Sequence, residues 1–202
     1  LNCLEQISGT LRDRKREYAV LMAKEMGKPV TQAEGEVEKC AWLCDYYCES
    51  APEFLADKTL EIHGQKSLIN IQPIGLILGV MPWNFPFWQV FRFAIPTLTA
   101  GNGVILKHAS NVQGCALAIE SCFKDSGFLE YIFQNIVIAG GEVDQVIINP
   151  AISAVTITGS TPAGKSVAQT AGSVLKKTVL ELGGSDPYVI LDDADLDIAV
   201  ES

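Results

Sequence analysis

Residues 154–174 read AVTITGSTPAGKSVAQTAGSV, and this stretch decides the fold. The apolar and β-branched residues 154–158 predict a buried strand, and a helical pattern follows at 161–174. Between them, Ser160 or Thr161 can cap the helix and Pro162 suits its first turn. A strand that leads through a short turn into a helix is typical of an α/β fold with a parallel sheet.

Strands and helices alternate in the same way from residue 73 onward. Right-handed crossovers between such strands give an open, largely parallel sheet with flanking helices. Ligands of these sheets bind at the carboxyl ends of the strands. Besides 154–158 and 161–174, the predicted strands are 74–80, 104–107, 136–139, 178–182 and 188–191, and the predicted helices lie near 87–100, 112–126 and 142–148.

Two helices are predicted before this α/β region. Residues 1–27 read as one helix that ends at Gly27. A second helix is expected over 31–50, with Thr31 as a possible N-cap and Glu34 as its capping-box partner.

A β-hairpin is predicted between the helices and the α/β region. Apolar residues on both sides flank His63-Gly64-Gln65-Lys66, a pattern typical of two antiparallel strands joined by a turn. We therefore divide the chain into N-terminal helices (1–57), a hairpin (58–73) and an α/β domain (74–202).

The composition is that of a globular protein. Its 202 residues are 48% hydrophobic and 19% charged, and the net charge of −9 comes without a basic stripe, which argues against nucleic acid as a partner. No apolar run is long enough to span a membrane, and no signal-peptide core is present, so we expect a cytoplasmic protein. The first residue is Leu1 rather than Met, which leaves room for residues upstream.

The six cysteines predict packing rather than metal binding. Cys40, Cys44 and Cys48 recur every fourth residue, so they share one face of a helix. Only His63 and His108 could complete a metal site with them, so we expect no metal. Buried cysteine behaves as a small apolar residue, and reduced thiols fit a cytosolic protein.

The first strand end with possible chemistry is Met81-Pro82-Trp83-Asn84-Phe85-Pro86. The two prolines hold the backbone extended around Asn84. A side-chain amide fixed at a strand end can donate a hydrogen bond to a developing oxyanion. The alternative is a proline-rich turn in which Asn84 bonds its own backbone.

The second strand end is the turn Thr158–Gly164. Free N–H groups and the helix dipole at the start of the next helix favour a phosphate, and the alternative is an ordinary capped helix. Gly159–Ser166 also matches the P-loop pattern G-x-x-x-x-G-K-[ST], and residues 189–192 imitate an apolar strand ending in a magnesium-binding Asp. A protein that hydrolyses ATP or GTP is therefore a competing hypothesis.

The third strand end is Glu181-Leu182-Gly183-Gly184-Ser185. The glycines allow a ligand to approach the backbone closely, and the carboxylate could act as a general base. The alternative is a surface Glu before a turn.

Taken in order, these segments resemble the aldehyde dehydrogenase family. The resemblance covers the whole chain, and several ordered motifs are more specific than one P-loop pattern. It implies a Rossmann-like NAD(P)-binding domain and a hairpin that serves homo-oligomerisation. The segments that carry it are PWNFP at 82–86, a Gly-Asn-Gly turn into a strand that ends in Lys107, TGST at 158–161, ELGG at 181–184 and PYVILDDADLDIAV at 187–200.

The resemblance implies roles for individual residues. Asn84 resembles the family's oxyanion-hole Asn, and Glu181 resembles the general base that activates the deacylating water. The implied cofactor contacts are Trp83 beside the cleft, Lys107 at the adenosine ribose, Gly159 and Ser160 at the pyrophosphate, and Leu182 and Gly183 near the nicotinamide.

Within the family the chain most resembles the succinate-semialdehyde dehydrogenases, and Arg92 carries this resemblance. It lies eight residues after Asn84, and the Arg at that offset binds the substrate carboxylate in those enzymes. A guanidinium suits a carboxylate because it can donate two parallel hydrogen bonds. The resemblance thus implies a small aldehyde substrate such as succinate semialdehyde. The alternative is an ion pair at a surface or interface.

One departure from the family pattern bears on the cofactor. The family often has Lys-Pro-x-Glu, whose Glu binds the ribose hydroxyls, whereas this chain reads Lys107-His108-Ala109-Ser110. Without that carboxylate a 2′-phosphate is not repelled, and Lys107 attracts it. We therefore expect NADP in preference to NAD, with Ser110 beside the ribose.

The nucleophile that the resemblance implies is not among these residues. In the family the catalytic Cys lies well after the Glu that Glu181 resembles, and all six cysteines here precede Glu181. We therefore expect a truncated aldehyde dehydrogenase, which by itself is inactive.

Overall fold

A computed structural model describes residues 2–62 and 64–201, without the side chains of residues 62, 65 and 66. The chain begins with three helices, α1 (Asn2–Asp13), α2 (Lys15–Met26) and α3 (Val30–Phe54). Helix α3 packs against both α1 and α2. No helix in the described part of the chain is long and apolar enough to cross a membrane.

The predicted single helix 1–27 is wrong in one respect, because it is divided at Arg14. This residue has φ −100° and ψ 11°, which depart from helical values. Hydrogen bonds still continue across it, from Arg14 N to Thr10 O (3.0 Å) and from Tyr18 N to Arg14 O (3.1 Å). The predicted end at Gly27 is confirmed by its left-handed φ of 79°.

The predicted N-cap at Thr31 is also wrong. Helix α3 already begins at Val30, and the capping position is Pro29, which has no side-chain acceptor to offer. Thr31 therefore lies inside the first turn. The helix also runs four residues past the predicted end at residue 50, to Phe54, and includes Pro52.

The predicted hairpin is confirmed. Strand β1 (Lys58–Ile62) pairs antiparallel with β2 (Gln65–Ile69), and Thr59 lies opposite Leu68. The two strands form a sheet of their own among the described residues. His63, which the prediction placed in the turn, lies outside the described residues.

The main sheet contains five parallel strands among the described residues, in the order β5-β4-β3-β6-β7. Helices alternate with them, as the sequence predicts. The strands are β3 (Leu76–Met81), β4 (Gly103–His108), β5 (Phe133–Asn135), β6 (Ile152–Thr158) and β7 (Lys177–Glu181). The helices are α4 (Trp88–Thr99), α5 (Gln113–Asp125), α6 (Val143–Ile148), α7 (Thr161–Ser173) and α8 (Leu196–Glu201), with 3₁₀ turns at Ser110–Val112 and Gly140–Glu142.

Two predicted strands are wrong. The strand expected at 136–139 lies at Phe133–Asn135, because the buried Phe133 ring stacks on Phe123 with centroids 4.3 Å apart. The strand expected at 188–191 is irregular and exposed, since it pairs with no strand in the described part of the chain.

Apolar side chains cover the sheet on both faces, which explains why its strands read as near-continuous apolar runs. On one face, α1 to α5 share a core with Leu106 and Phe133. On the other face, α6 and α7 pack on Val155 and Ile157. Burial in two clusters on opposite faces gives the doubly wound α/β fold that the sequence predicts.

The strand order reverses between β3 and β6. From β3 the chain proceeds outward through β4 and β5, and it then returns to the other side of β3 to add β6 and β7. The loops after β3 and β6 therefore diverge and leave a crevice at the carboxyl ends of these strands, the usual ligand position in open α/β sheets.

Candidate active site

The strand register brings four strand ends to the same edge of the sheet. Val80 lies opposite Lys107 on one side and Ile157 on the other, and Thr158 lies opposite Glu181. The loops after β3, β4, β6 and β7 therefore leave the sheet at the same level. These loops and strand ends carry nine of the predicted site residues; the other, Arg92, lies on α4.

A cavity of about 340 Å³, which we call the edge cavity, opens at the crevice between β3 and β6. It brings together predicted site residues from three separate strand ends. Pro82 and Thr158 complete its wall. The predicted site residues that line it are Trp83, Asn84, Gly159, Ser160, Glu181, Leu182 and Gly183.

The start of α7 forms one wall of the edge cavity. Of the two predicted caps, Ser160 is the N-cap and Thr161 the first helical residue: the Ser160 Oγ accepts a hydrogen bond from Ala163 N at 3.4 Å, and Pro162 lies in the first turn. The positive end of the helix dipole therefore points at the cavity. An anion such as a phosphate would be stabilised there.

The P-loop pattern falls within this helix. A P-loop needs its glycine-rich residues in a loop that wraps around phosphates. Here α7 already begins at Thr161, so Gly164, Lys165 and Ser166 are helical. Lys165 is exposed and does not line the edge cavity. This geometry does not provide the phosphate-wrapping loop that the competing hypothesis needs.

A second cavity of about 440 Å³, which we call the face cavity, lies between α4 and the strands β6 and β7. Arg92 lines it, together with Gln89 from the preceding turn of the same helix. Thr158 and Glu181 line both cavities, so the two are adjacent.

Arg92 is held by the ends of two strands. Its Nη1 lies 3.5 Å from Oε2 of Glu181, and its Nη2 donates a hydrogen bond of 3.3 Å to Oγ1 of Thr158. The Arg92 side chain is 36% exposed and that of Glu181 53%, so solvent screens this ion pair. A carboxylate entering the face cavity could therefore take the place of Glu181 on the guanidinium.

Sequence reasoning missed Gln89 and Thr158. The Oε1 atom of Gln89 is buried with no hydrogen-bond partner among the described residues. The signal was available, because residues three apart on a helix share a face and Gln89 precedes Arg92 by three. Thr158 belongs to the turn and the TGST motif that the sequence singles out, but no role was predicted for its side chain.

Lys107 and Ser110 lie at the end of β4 and line neither of these cavities. Burial lowers the pKa of the Lys107 ammonium. Ser110 is exposed and begins the 3₁₀ turn. Because β4 is the neighbour of β3, both side chains lie at the same sheet edge as Trp83, beyond the edge cavity.

The cysteines lie away from both cavities. Neither cavity is lined by a Cys, and the predicted stripe is confirmed, since Cys40 and Cys44 are buried in the helical core and Cys48 packs against it. Burial raises the pKa of Cys40 and Cys44. Across the described residues, no group of three or more His, Cys, Asp or Glu side chains is placed to hold a metal ion.

Comparison with known proteins gives consistent matches along the chain. The model of the aldehyde dehydrogenase family matches residues 1–202. A probable succinate-semialdehyde dehydrogenase [NADP(+)] from Synechocystis is 52% identical over 198 residues, which are 98% of this chain and 44% of that protein. A succinate semialdehyde dehydrogenase [NAD(P)+] from Escherichia coli is 47% identical over 98% of this chain and 43% of its own length.

Solved structures agree with these matches. The succinic semialdehyde dehydrogenase of Streptococcus pyogenes, crystallised with NADP+, superposes with a TM-score of 0.94 at 42% identity. That match covers 97% of this chain and 43% of the other. The chain thus spans less than half the length of the relatives that it matches.

Proposed function

The chain belongs to the aldehyde dehydrogenase family, and from this premise we propose that it is the cofactor-binding portion of an enzyme that oxidises succinate semialdehyde with NADP+. The observation that carries the proposal is the edge cavity at the start of α7, which is lined by both Asn84 and Glu181. A hydrogen-bond donor, a carboxylate and an anion-binding helix terminus are the groups that such a reaction needs.

The residues present fit a dinucleotide. Gly159 and Ser160, which line the edge cavity, would hold the pyrophosphate at the start of α7. Lys107 and Ser110 would hold the ribose and its 2′-phosphate, and Trp83, Leu182 and Gly183 would line the path to the nicotinamide. NADP+ supplies the hydride acceptor when bound.

Asn84 and Glu181 would act in different steps of the reaction. The side-chain amide of Asn84 would donate a hydrogen bond to the oxygen of the tetrahedral intermediate. Glu181 would take a proton from the water that releases the acid product. Arg92 would bind the carboxylate at the far end of the substrate in the face cavity, bidentately.

The attacking thiolate would come from outside these 202 residues. The described cysteines are remote from both cavities, and four of them are buried. We therefore propose that the 202-residue chain alone forms no NADPH from an aldehyde. A P-loop NTPase is the second candidate, but residues 161–164, which would have to form its phosphate-wrapping loop, are helical.

The hairpin supports a further proposal about assembly. Leu60, Leu68 and Ile69 are each about half-exposed, and both strands keep an open edge among the described residues. Open strand edges pair readily with other chains. We propose that the hairpin forms a homo-oligomer contact, which sedimentation of the chain with and without residues 58–73 would test.

Burst kinetics test the proposed roles. The experiment uses a full-length version, in which the 202 residues are joined to the remaining length of the Synechocystis relative. Asn84→Ala should slow the burst of NADPH by about 10²–10³-fold, because an oxyanion donor is lost. Glu181→Gln should leave the burst but slow steady-state turnover by about 10²–10⁴-fold. A burst abolished by Glu181→Gln and unaffected by Asn84→Ala would contradict both roles.

A further inference from the structure

We propose that His108 and Glu36 are positioning residues that hold the loop 82–88 from two sides and thereby aim the Asn84 amide at the edge cavity. This inference rests on the proposed function only in assigning a catalytic purpose to Asn84. The two residues come from different elements, the end of β4 and the middle of α3.

His108 holds the end of the loop that leads into α4. Its side chain is 1% exposed, and its Nε2 lies 2.9 Å from Pro86 O, while its Nδ1 lies 3.3 Å from Met81 O. Met81 is the last residue of β3, and Pro86 precedes α4. The imidazole ring thus lies between the two ends of the loop that carries Asn84.

The hydrogen bonds define the tautomer of this ring. The N–H of Ala109 donates to Nδ1 at 2.9 Å, so Nδ1 must offer a lone pair. The ring proton then lies on Nε2 and is donated to Pro86 O, so the approach of Nδ1 to Met81 O is a contact without a hydrogen bond. Burial lowers the pKa of His108, which keeps the ring neutral and this tautomer in place.

Glu36 holds the next two residues of the loop. It is 4% exposed, and its Oε1 accepts hydrogen bonds from Phe87 N and Trp88 N, each at 2.9 Å. Its other oxygen pairs with Lys28, whose side chain is also buried. A buried carboxylate with two backbone donors and one cation is well satisfied, so it fixes the start of α4 firmly.

Lys28 also contacts Phe85, the residue that follows Asn84. Its Nζ lies 3.6 Å from the centre of the Phe85 ring, within the range of a cation–π contact. Each of residues 85–88 therefore has one partner: Lys28 contacts the Phe85 ring, His108 donates to Pro86 O, and Glu36 accepts from the N–H groups of residues 87 and 88. Asn84 is exposed and makes no such contact in the described structure, so its orientation depends on its neighbours.

The position of His108 departs from the Lys-Pro-x-Glu pattern noted above. A proline there has no side-chain donor, so it could not form the hydrogen bond to Pro86 O. In this chain the same residue follows Lys107 directly, so the strand end that would hold the ribose also holds the Asn84 loop.

Hydrogen–deuterium exchange of the amides of residues 83–85, 87 and 88 and kinetics of the full-length version test the proposal. His108→Leu removes the hydrogen bond to Pro86 O, whereas His108→Gln keeps a side-chain N–H that can reach this oxygen. We expect His108→Leu and Glu36→Gln to raise loop exchange about tenfold or more. Both should lower the burst rate about 10- to 100-fold, with KM for NADP+ nearly unchanged, and His108→Gln should recover most of that rate.

Glu25→Gln is the matched control. Glu25 accepts hydrogen bonds from Gly114 N (2.7 Å) and Cys115 N (2.8 Å) at the start of α5, as Glu36 does at the start of α4. The Glu25→Gln variant should lower the stability of the chain as Glu36→Gln does. It should leave both the amide exchange of the loop and the burst rate unchanged.

The outcomes separate this proposal from the proposed function. Unchanged loop exchange in folded His108→Leu and Glu36→Gln would overturn the holding role. Raised exchange without a slower burst, while Asn84→Ala slows the burst, would overturn the positioning role. If Asn84→Ala leaves the burst unchanged, the assignment of Asn84 fails, and loop exchange alone decides whether His108 and Glu36 hold the loop.

Discussion

Arg92 on α4 and Glu181 at the end of β7 face each other, with Nη1 of the guanidinium 3.5 Å from Oε2 of the carboxylate. The contact joins the face cavity to the edge cavity, because Glu181 lines both. A substrate carboxylate that binds Arg92 must share or replace this contact. Substrate binding would then free the group that we propose as the general base.

Replacement of Arg92 should change substrate choice in the full-length version. Arg92→Gln removes a charge-assisted contact worth about 1.5–3 kcal/mol, and partial exposure favours the lower figure. We expect kcat/KM for succinate semialdehyde to fall about tenfold or more. An uncharged aldehyde of the same length should be used equally well by both forms, and equal losses for the two aldehydes would contradict carboxylate binding.

Replacement of Ser110 should change the cofactor preference. Ser110→Glu places a carboxylate where the 2′-phosphate is expected, and we expect the ratio of kcat/KM for NADP+ over NAD+ to fall about tenfold, or about 1.4 kcal/mol. Ser110→Gln, which has the same size without the charge, is the control and should change the ratio less. An unchanged ratio in Ser110→Glu would mean that Ser110 does not face the ribose.

Two glycine substitutions should change stability in opposite directions. A Cβ at Gly79 in β3 would overlap the ring of Phe93 from α4, so Gly79→Ala should destabilise the chain by about 1–3 kcal/mol. Gly35 lies in the interior of α3 with no atom within 4 Å of its added Cβ, so Gly35→Ala should stabilise by about 0.5–1 kcal/mol. Urea unfolding measures both, and equal effects would contradict the packing of α4 on β3.

Thiol labelling tests the helical core. Burial raises the pKa of Cys122 to about 11 and also raises that of Cys115. With Cys40 and Cys44 they make four buried thiols, while Cys3 and Cys48 are partly exposed. A disulfide reagent should therefore label at most Cys3 and Cys48 in the native chain and all six thiols in denaturant. Rapid labelling of a third thiol would place a cysteine nearer the surface than the fold allows.

The sequence predicts the fold best where the determining pattern is local. The strand, the Ser160 cap and helix α7 follow each other within residues 152–173, and all three are found. The strand at 133–135 was displaced by three residues because its position depends on the Phe123 ring, which belongs to another element.

For the candidate site too, the sequence predicts the features that depend on local motifs and misses those that depend on distant contacts. Motifs predicted that residues after β3, β6 and β7 share one edge, and the edge cavity contains seven of them. Contacts between distant segments could not be read in advance. Arg92 meets Glu181, and Glu36 meets Phe87 N, only because the sheet and α3 bring them together.

Calorimetric titration of the chain with NADP+ and with Mg-ATP tests the central claim, a dinucleotide site at the start of α7, most directly. NADP+ should bind to the unchanged chain and to Lys165→Ala with the same affinity, within about twofold. Gly159→Val should weaken binding, because it adds a branched side chain at a residue that lines the edge cavity, where its Cβ meets the protein only in ordinary van der Waals contact. Binding of Mg-ATP that is lost in Lys165→Ala, with no binding of NADP+, would contradict the account.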